Sequence, residues 1–234
     1  MSAIRAIFFD IGDTLLFDEP PLAERVRLAI ESVGLPYDKK EMLRAFRTAE
    51  DYALSRYLEG VPFDDPGVQQ ECAVIILREL GLGGVSIEKL IALRDAYLKI
   101  SYARSLHPQA ISLVEELRRR EFKVGAISDW EETLPTLLAE LELADHLDAL
   151  AVSAIVGVTK PDPRLFEEAL RQADVTAGES IHIGDYYELD VAGARAAGMT
   201  PILFDWKGRN LDADCERVTS FEELKRYLLG LPSA

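Results

Sequence analysis

Three short apolar runs in this chain each stop at a polar residue, and helical patterns lie between them. The runs are Ile4-Arg5-Ala6-Ile7-Phe8-Phe9, Phe122-Lys123-Val124-Gly125-Ala126-Ile127 and Ser180-Ile181-His182-Ile183. None alternates cleanly between apolar and polar residues, which is the pattern of parallel strands covered on both faces. Two weaker strands are Ala149-Leu150-Ala151-Val152 and Thr200-Pro201-Ile202-Leu203-Phe204. Amphipathic helices separate them. Pro108 to Arg120 carries Ile111, Val114 and Leu117 at three-residue steps, and Pro163 to Ala173 gathers Leu165, Phe166, Ala169 and Leu170 on one side. Leu189 to Ala197 ends at Gly198, a good helix stop. Strands alternating with helices predict an α/β fold with a doubly wound, parallel, Rossmann-like sheet.

The stretch from about 20 to 105 follows another rule. Pro20-Pro21 opens it, and helical patterns follow around 21–33, 39–58, 67–80 and 87–100. Met42, Phe46, Ala49 and Ala53 fall on one helix face, as do Leu90, Leu93 and Tyr97. Gly34-Leu35-Pro36, Gly60-Val61-Pro62 and Gly81-Leu82-Gly83-Gly84 break the helices apart. The organisation predicted is an α/β core from 1–17 and 106–234, with an all-helical insertion at 18–105. The length of 234 residues agrees, at roughly one and a half domains of about 150 residues.

Charge excludes several classes. The chain has 41 acids against 26 bases, a formal net charge of −15. That balance argues against nucleic acid or an anionic membrane as a partner. The acid excess is uneven: residues 18–104 hold 15 acids and 12 bases, and the remainder 26 and 14. No apolar run approaches the roughly 18 residues that span a bilayer. The start, Met1-Ser2-Ala3-Ile4-Arg5, leads into a stretch too short for a signal peptide. With two cysteines, Cys72 and Cys215, no disulfide framework is expected, and the cytoplasm is the expected location. Monomer and homodimer both remain open.

The polar residues that close the strands are the candidates for chemistry. The first run ends Asp10-Ile11-Gly12-Asp13-Thr14-Leu15, the second Ser128-Asp129, and the third Gly184-Asp185 with Asp190 five residues on. Ligands of open α/β sheets bind outside the carboxyl ends of the strands, so these side chains are expected to converge. Any one of them read alone is a helix cap. A fourth feature is Gly157-Val158-Thr159-Lys160-Pro161-Asp162-Pro163, where Pro161 biases Lys160 toward an extended backbone just before a helix. His107, His146 and His182 are widely spaced, form no ligand motif, and His182 reads as a satisfied core residue. Trp130 reads equally as the mouth of a site or as packing.

In order and spacing these four segments resemble the motifs of the haloacid dehalogenase superfamily of hydrolases, most of whose members are phosphatases. The resemblance spans the whole chain, and the helical insertion matches the cap of one large branch, expected to close over the core by hinges near Phe17–Pro20 and Ser105–Pro108. It implies a hydrolase of a small phosphorylated metabolite that works through an aspartyl-phosphate. Asp10 would be the nucleophile, with Lys160 and Ser128 also catalytic. Ser128, Asp129, Lys160 and Thr14 would bind phosphate. Mg²⁺ is the implied cofactor, with Asp10, Gly12 (through its carbonyl), Asp185 and Asp190 as the implied ligands. The family's phosphatases carry a second Asp two residues after the nucleophile as general acid and base. Here that position is Gly12, as in a branch that has the same replacement. Carbon–halogen hydrolysis, which also lacks that acid, and a weakened phosphate- or partner-binding module are the alternatives. Asp13 is expected to point away, because adjacent residues in an extended chain face opposite ways.

Overall fold

The computed structural model describes residues 3–234. Met1 and Ser2, which begin both the expected core segment and the leader reading, lie outside them. Contacts divide the chain into one unit of Met1–Phe17 with Arg104–Ala234 and another of Asp18–Ala103.

The first unit is built on six strands. They are β1 (Ala6–Phe9), β4 (Lys123–Ser128), β5 (Ala149–Val152), β6 (Ser180–Gly184), β7 (Thr200–Phe204) and β8 (Glu216–Val218), in the spatial order β5-β4-β1-β6-β7-β8. Every pair is parallel. From β1 the chain runs outward on one side through β4 and β5, then returns to β6 and runs outward on the other. The strand order therefore reverses around β1, where open sheets of this type form their crevice. Two further strands, β2 (Leu16–Glu19) and β3 (Ala103–Leu106), pair as a separate ribbon through which the chain passes from one unit to the other.

Burial explains why the strands do not alternate. Along β1, Ile7 and Phe9 enter one apolar cluster and Ala6 and Phe8 enter another on the opposite face. The first cluster is closed by α5 (Ala110–Arg119) through Leu113, Val114 and Leu117, and by α10 (Phe221–Gly230) through Leu224 and Leu228. The second is closed by α8 (Pro163–Ala173), whose Leu165, Phe166, Ala169 and Leu170 are the residues its sequence places on one side. Short helices α6 (Leu134–Glu140), α7 (Ser153–Val156) and α9 (Ala192–Ala196) complete the unit.

The second unit contains α1 (Leu22–Ser32), α2 (Met42–Leu58), α3 (Pro66–Glu79) and α4 (Ile87–Leu98) around a core of Ile30, Ala45, Phe46, Ala49, Ile75 and Ile76. No helix among the described residues is long and apolar enough to cross a membrane.

One element differs in kind from its sequence pattern. The expected helix from Leu189 begins instead as a π-helical turn over Tyr187–Val191, and the α-helix follows at Ala192. The wider turn lets Asp190 fold back toward the sheet, where it is 2% exposed. β8 escapes a hydropathy reading for a simple reason: it is a three-residue edge strand, Glu-Arg-Val, with one buried side chain.

Candidate active site

Register brings the strand ends level. Phe9 lies opposite Ala126 of β4 and Ile183 of β6. Asp10 is one step further along, and its N–H donates to the Ile183 carbonyl at 2.7 Å. β4 ends on Ser128 and β6 on Gly184, so Ser128, Asp10 and Asp185 leave the sheet at one end. The turn after Asp10 is tight. The amides of Leu15 and Leu16 both donate to the Ile11 carbonyl at 3.0 and 2.8 Å, and that of Asp13 donates to the Leu16 carbonyl at 2.8 Å. These bonds do not use the Gly12 carbonyl.

Lys160 reaches the same place from the loop before α8. Its backbone N–H donates to both carboxylate oxygens of Asp129, at 3.0 and 3.2 Å. Its side chain is 3% exposed, and its ammonium donates to Asp10 Oδ1 and Asp190 Oδ1, each at 2.7 Å. Ser128 Oγ donates to Asp10 Oδ1 at 3.4 Å. The sequence-derived residues Asp10, Ser128, Lys160 and Asp190 thus form one buried group, with Asp129 behind the lysine loop. The Asp129 carboxylate faces the Lys160 amide. Thr14 is fully buried, and its Oγ1 has no hydrogen-bond partner among the described residues.

Asp190, expected near the metal, has protein donors on both of its oxygens. Besides Lys160, its Oδ1 meets His182 Nε2 at 2.9 Å, and its Oδ2 accepts from the Tyr186 amide at 3.0 Å. Oδ1 is therefore shared by Lys160 and His182, and the residue holds Lys160 in place. Gly184 makes the room. A Cβ there would stand 2.1 Å from Asp190 Cγ, a distance no side chain can occupy. His182 is the residue whose part in the site the sequence conceals. Burial pushes its imidazole below the ordinary value, toward the neutral form. A carboxylate can only accept, so Nε2 carries the proton and Nδ1 is left bare, buried and unpartnered among the described residues.

Electrostatics divides the acids. Burial pushes Asp10 up to about 7, against the pull of the Lys160 ammonium. Burial also pushes Asp185 well above the usual carboxylate range, with Asp13 and Asp10 adding to the rise and Lys207 opposing it. Burial alone would raise Asp190 too, but the Lys160 charge and the His182 bond hold it well below the usual range. Burial disfavours the Lys160 charge, yet Asp10, Asp190 and Asp129 together push it above its ordinary value. The result is a fixed ion pair, Lys160 with Asp190, beside two carboxylates whose charge is not fully compensated.

Those two carboxylates are what the site offers a cation. Among the described residues no three His, Cys, Asp or Glu side chains converge as a metal cluster. Asp10 and Asp185, with the Gly12 carbonyl that the resemblance implies, would make an all-oxygen set. That set suits Mg²⁺, which keeps several of its own waters. The burial of Asp185, offset only in part by Lys207, is the observation that suits a cation there.

Asp13 faces Lys207, on a backbone that is left-handed rather than the extended one expected. Its φ is 53°, in the left-handed region that Asp tolerates. Its carboxylate pairs with Lys207 at 2.7 Å, and its carbonyl accepts from Trp206 Nε1 at 2.8 Å. Lys207 also lies 3.4 Å from Asp185 Oδ2. No sequence signal identifies Lys207, which sits in an irregular loop after β7. At Gly12 an added Cβ would meet the Trp130 ring at 3.5 Å, ordinary contact.

A doubly wound parallel sheet with a carboxylate after a central strand, a buried lysine facing it and an acidic pair after the neighbouring strand defines a hydrolase of the haloacid dehalogenase type. The family model described as haloacid dehalogenase-like hydrolase matches residues 4–198, and the chain belongs to that family. It is 41% identical over 207 residues to the Haloacid dehalogenase-like hydrolase domain-containing protein 3 of Bos taurus, covering 86% of this chain and 81% of the relative. It is 30% identical over 242 residues to the Glyceraldehyde 3-phosphate phosphatase of Pyrococcus furiosus, covering 98% and 90%. The crystal structure of a HAD phosphatase from Thermococcus onnurineus shares the fold with a TM-score of 0.60 at 21% identity, over 99% of this chain and all of that one.

Proposed function

We propose that this enzyme hydrolyses a small phosphorylated metabolite through an aspartyl-phosphate on Asp10, with Mg²⁺ as cofactor. The observation that carries the reading is the Lys160 ammonium set between Asp10 and Asp190 at 2.7 Å from each, beside Ser128. The phosphatase names of relatives support it. Asp10 attacks phosphorus, the bond to the leaving oxygen breaks, and water then hydrolyses the acyl phosphate and releases inorganic phosphate. A carboxylate approaching a phosphate dianion meets like charge. Lys160 offsets that repulsion, and Asp190 with His182 keeps the ammonium aimed. Ser128 donates to a phosphoryl oxygen. When bound, Mg²⁺ supplies further positive charge at the transferring group. Gly12 carries no proton, so the leaving oxygen takes its proton from solvent. Good leaving groups are therefore favoured. The test is a panel of an aryl phosphate, an acyl phosphate, sugar phosphates and 2-chloropropionate, with and without Mg²⁺. Phosphate release that needs the metal supports the reading, and chloride release indifferent to a chelator overturns it.

Two expectations follow from the local geometry. Gly12→Asp has room for its first side-chain atom against Trp130. A positioned acid contributes typically 10²–10⁴-fold, so the variant is expected to hydrolyse alkyl phosphates at least about 10-fold faster. Aryl phosphates, which leave without help, should gain little. Steady-state rates on one ester of each kind check this, and an equal or absent gain contradicts it.

Cation binding should also depend on pH. A metal ion binds the ionised carboxylate, and Asp10 ionises near 7. Below that pH binding must expel a proton, so affinity rises with pH and levels off above 7. The dissociation constant for Mg²⁺ is expected to be about 10-fold larger at pH 6 than at pH 8. The upward shift of Asp185 acts in the same direction. Calorimetry in two buffers of different ionisation heat measures both the affinity and the proton released.

A further inference from the structure

Lys207 is held beside the acidic pair by a loop that fixes its starting point. The loop follows β7 and is anchored by Asp205, which is 2% exposed. Asp205 accepts from the amides of Arg209 and Asn210 at 2.7 and 3.0 Å and from Arg217 Nε at 2.7 Å. Gly208 turns the chain with φ 64°, and its N–H donates to the Asp205 carbonyl at 3.0 Å. Trp206 Nε1 ties the same loop to the Asp13 carbonyl. The ammonium at the end of the Lys207 side chain then has two acids in reach, Asp13 Oδ2 at 2.7 Å and Asp185 Oδ2 at 3.4 Å. Asp185 is the more deeply buried, its side chain 6% exposed against 44% for Asp13.

We propose that Lys207 is a tethered cation that competes with the divalent cation for Asp185, and that Asp13 is the residue that draws it aside. The proposal rests on the metal reading above and extends it to residues outside the ligand set. The ammonium partly neutralises the buried Asp185 carboxylate. A divalent ion at the same carboxylate repels the ammonium. The four-carbon stem of lysine lets its head group move by a few ångströms while the loop stays put. Asp13, already the closer partner, receives it. Asp13 therefore does not replace the acid missing at Gly12. It keeps a competing charge off the metal carboxylate, and its left-handed backbone, fixed by the Trp206 bond, sets it facing Lys207.

The experiment measures Mn²⁺ binding by electron paramagnetic resonance near neutral pH, so the readout is affinity rather than turnover. The proteins are wild type, Lys207→Met, Lys207→Gln, Asp13→Asn, the Asp13→Asn/Lys207→Met double variant, and Asp10→Asn as a ligand control. Loss of a like charge beside the ion is expected to tighten binding about 10-fold or more in both Lys207 variants. Asp13→Asn is expected to weaken it about 3-fold or more, and that cost should shrink by half or more when Lys207 is also absent. Lys207 variants that bind Mn²⁺ no more tightly than wild type overturn the competition. An Asp13→Asn cost of equal size in both backgrounds overturns the role given to Asp13, since the residue then acts through its own charge alone. If Asp10→Asn binds as well as wild type, the metal reading itself fails and this proposal falls with it.

Discussion

Asp10→Asn is expected to abolish phosphate release, by on the order of 10⁴-fold or more, while leaving the protein as stable as before or slightly more so. The two effects separate chemistry from folding. Asparagine has nearly the shape of aspartate, so the bond from the residue-10 amide to the Ile183 carbonyl and the packing at the end of β1 persist. What disappears is the nucleophilic oxygen. The same change removes a carboxylate whose charged form burial already disfavours, as its rise to about 7 shows. Lys160 is not orphaned, because Asp190 stays at 2.7 Å. Initial rates on an aryl phosphate and a thermal melt of the metal-free variant check the pair of outcomes. A variant that keeps more than about a tenth of the activity contradicts the role assigned to Asp10.

Lys160→Met has the opposite signature, with fold and chemistry failing together. The side chain is 3% exposed, and its ammonium is the cation shared by two buried carboxylates. Removing one partner of such an arrangement leaves charge buried without compensation and costs about 3–5 kcal/mol. The loss of the donor that faces the phosphoryl group should lower turnover by about 10²–10³-fold as well. The stability penalty carries a sign in pH. Without the lysine, Asp10 and Asp190 have folded-state pKa values raised above those of the unfolded chain. The folded protein then holds protons that the unfolded chain has released, and stability falls as pH rises from the ordinary carboxylate range. The variant is therefore expected to lie closest to wild type near pH 4 and furthest from it at about pH 8. Urea denaturation at the two pH values measures the gap, and a penalty independent of pH contradicts the electrostatic account.

The legible part of this molecule is the part that local chemistry determines. A four-residue run such as Ala6–Phe9, buried on both faces and apolar throughout, announces itself. Asp10, Ser128 and Asp185 then follow from the rule that parallel strands point their ends one way. Asp190 is different. The family resemblance implies a metal ligand there; in the structure a π-helical turn brings it beneath Gly184, with donors from the Tyr186 amide, His182 and Lys160. The wider turn depends on that tertiary contact, and no periodicity records it. His182 hides for a related reason: inside a strand, a histidine that braces an acid has the same sequence context as one that merely packs. Lys207 and Asp13 meet across the folded chain, 194 positions apart, through a loop with no regular pattern. The short edge strand β8 and the ribbon of β2 with β3 lack the apolar runs that would reveal them.

The claim at the centre of this account is that Asp10 takes the phosphoryl group as a covalent acyl phosphate. Such an intermediate can be caught by quenching a reaction during turnover of an aryl phosphate and reducing it with borohydride, which converts a phosphorylated aspartate to homoserine. The account predicts that peptide mass spectrometry finds this change at residue 10 when Mg²⁺ and substrate are both present, and not when either is withheld. Phosphate release at an undiminished rate with residue 10 unmodified at every quench time would contradict it, because water would then be attacking phosphorus directly.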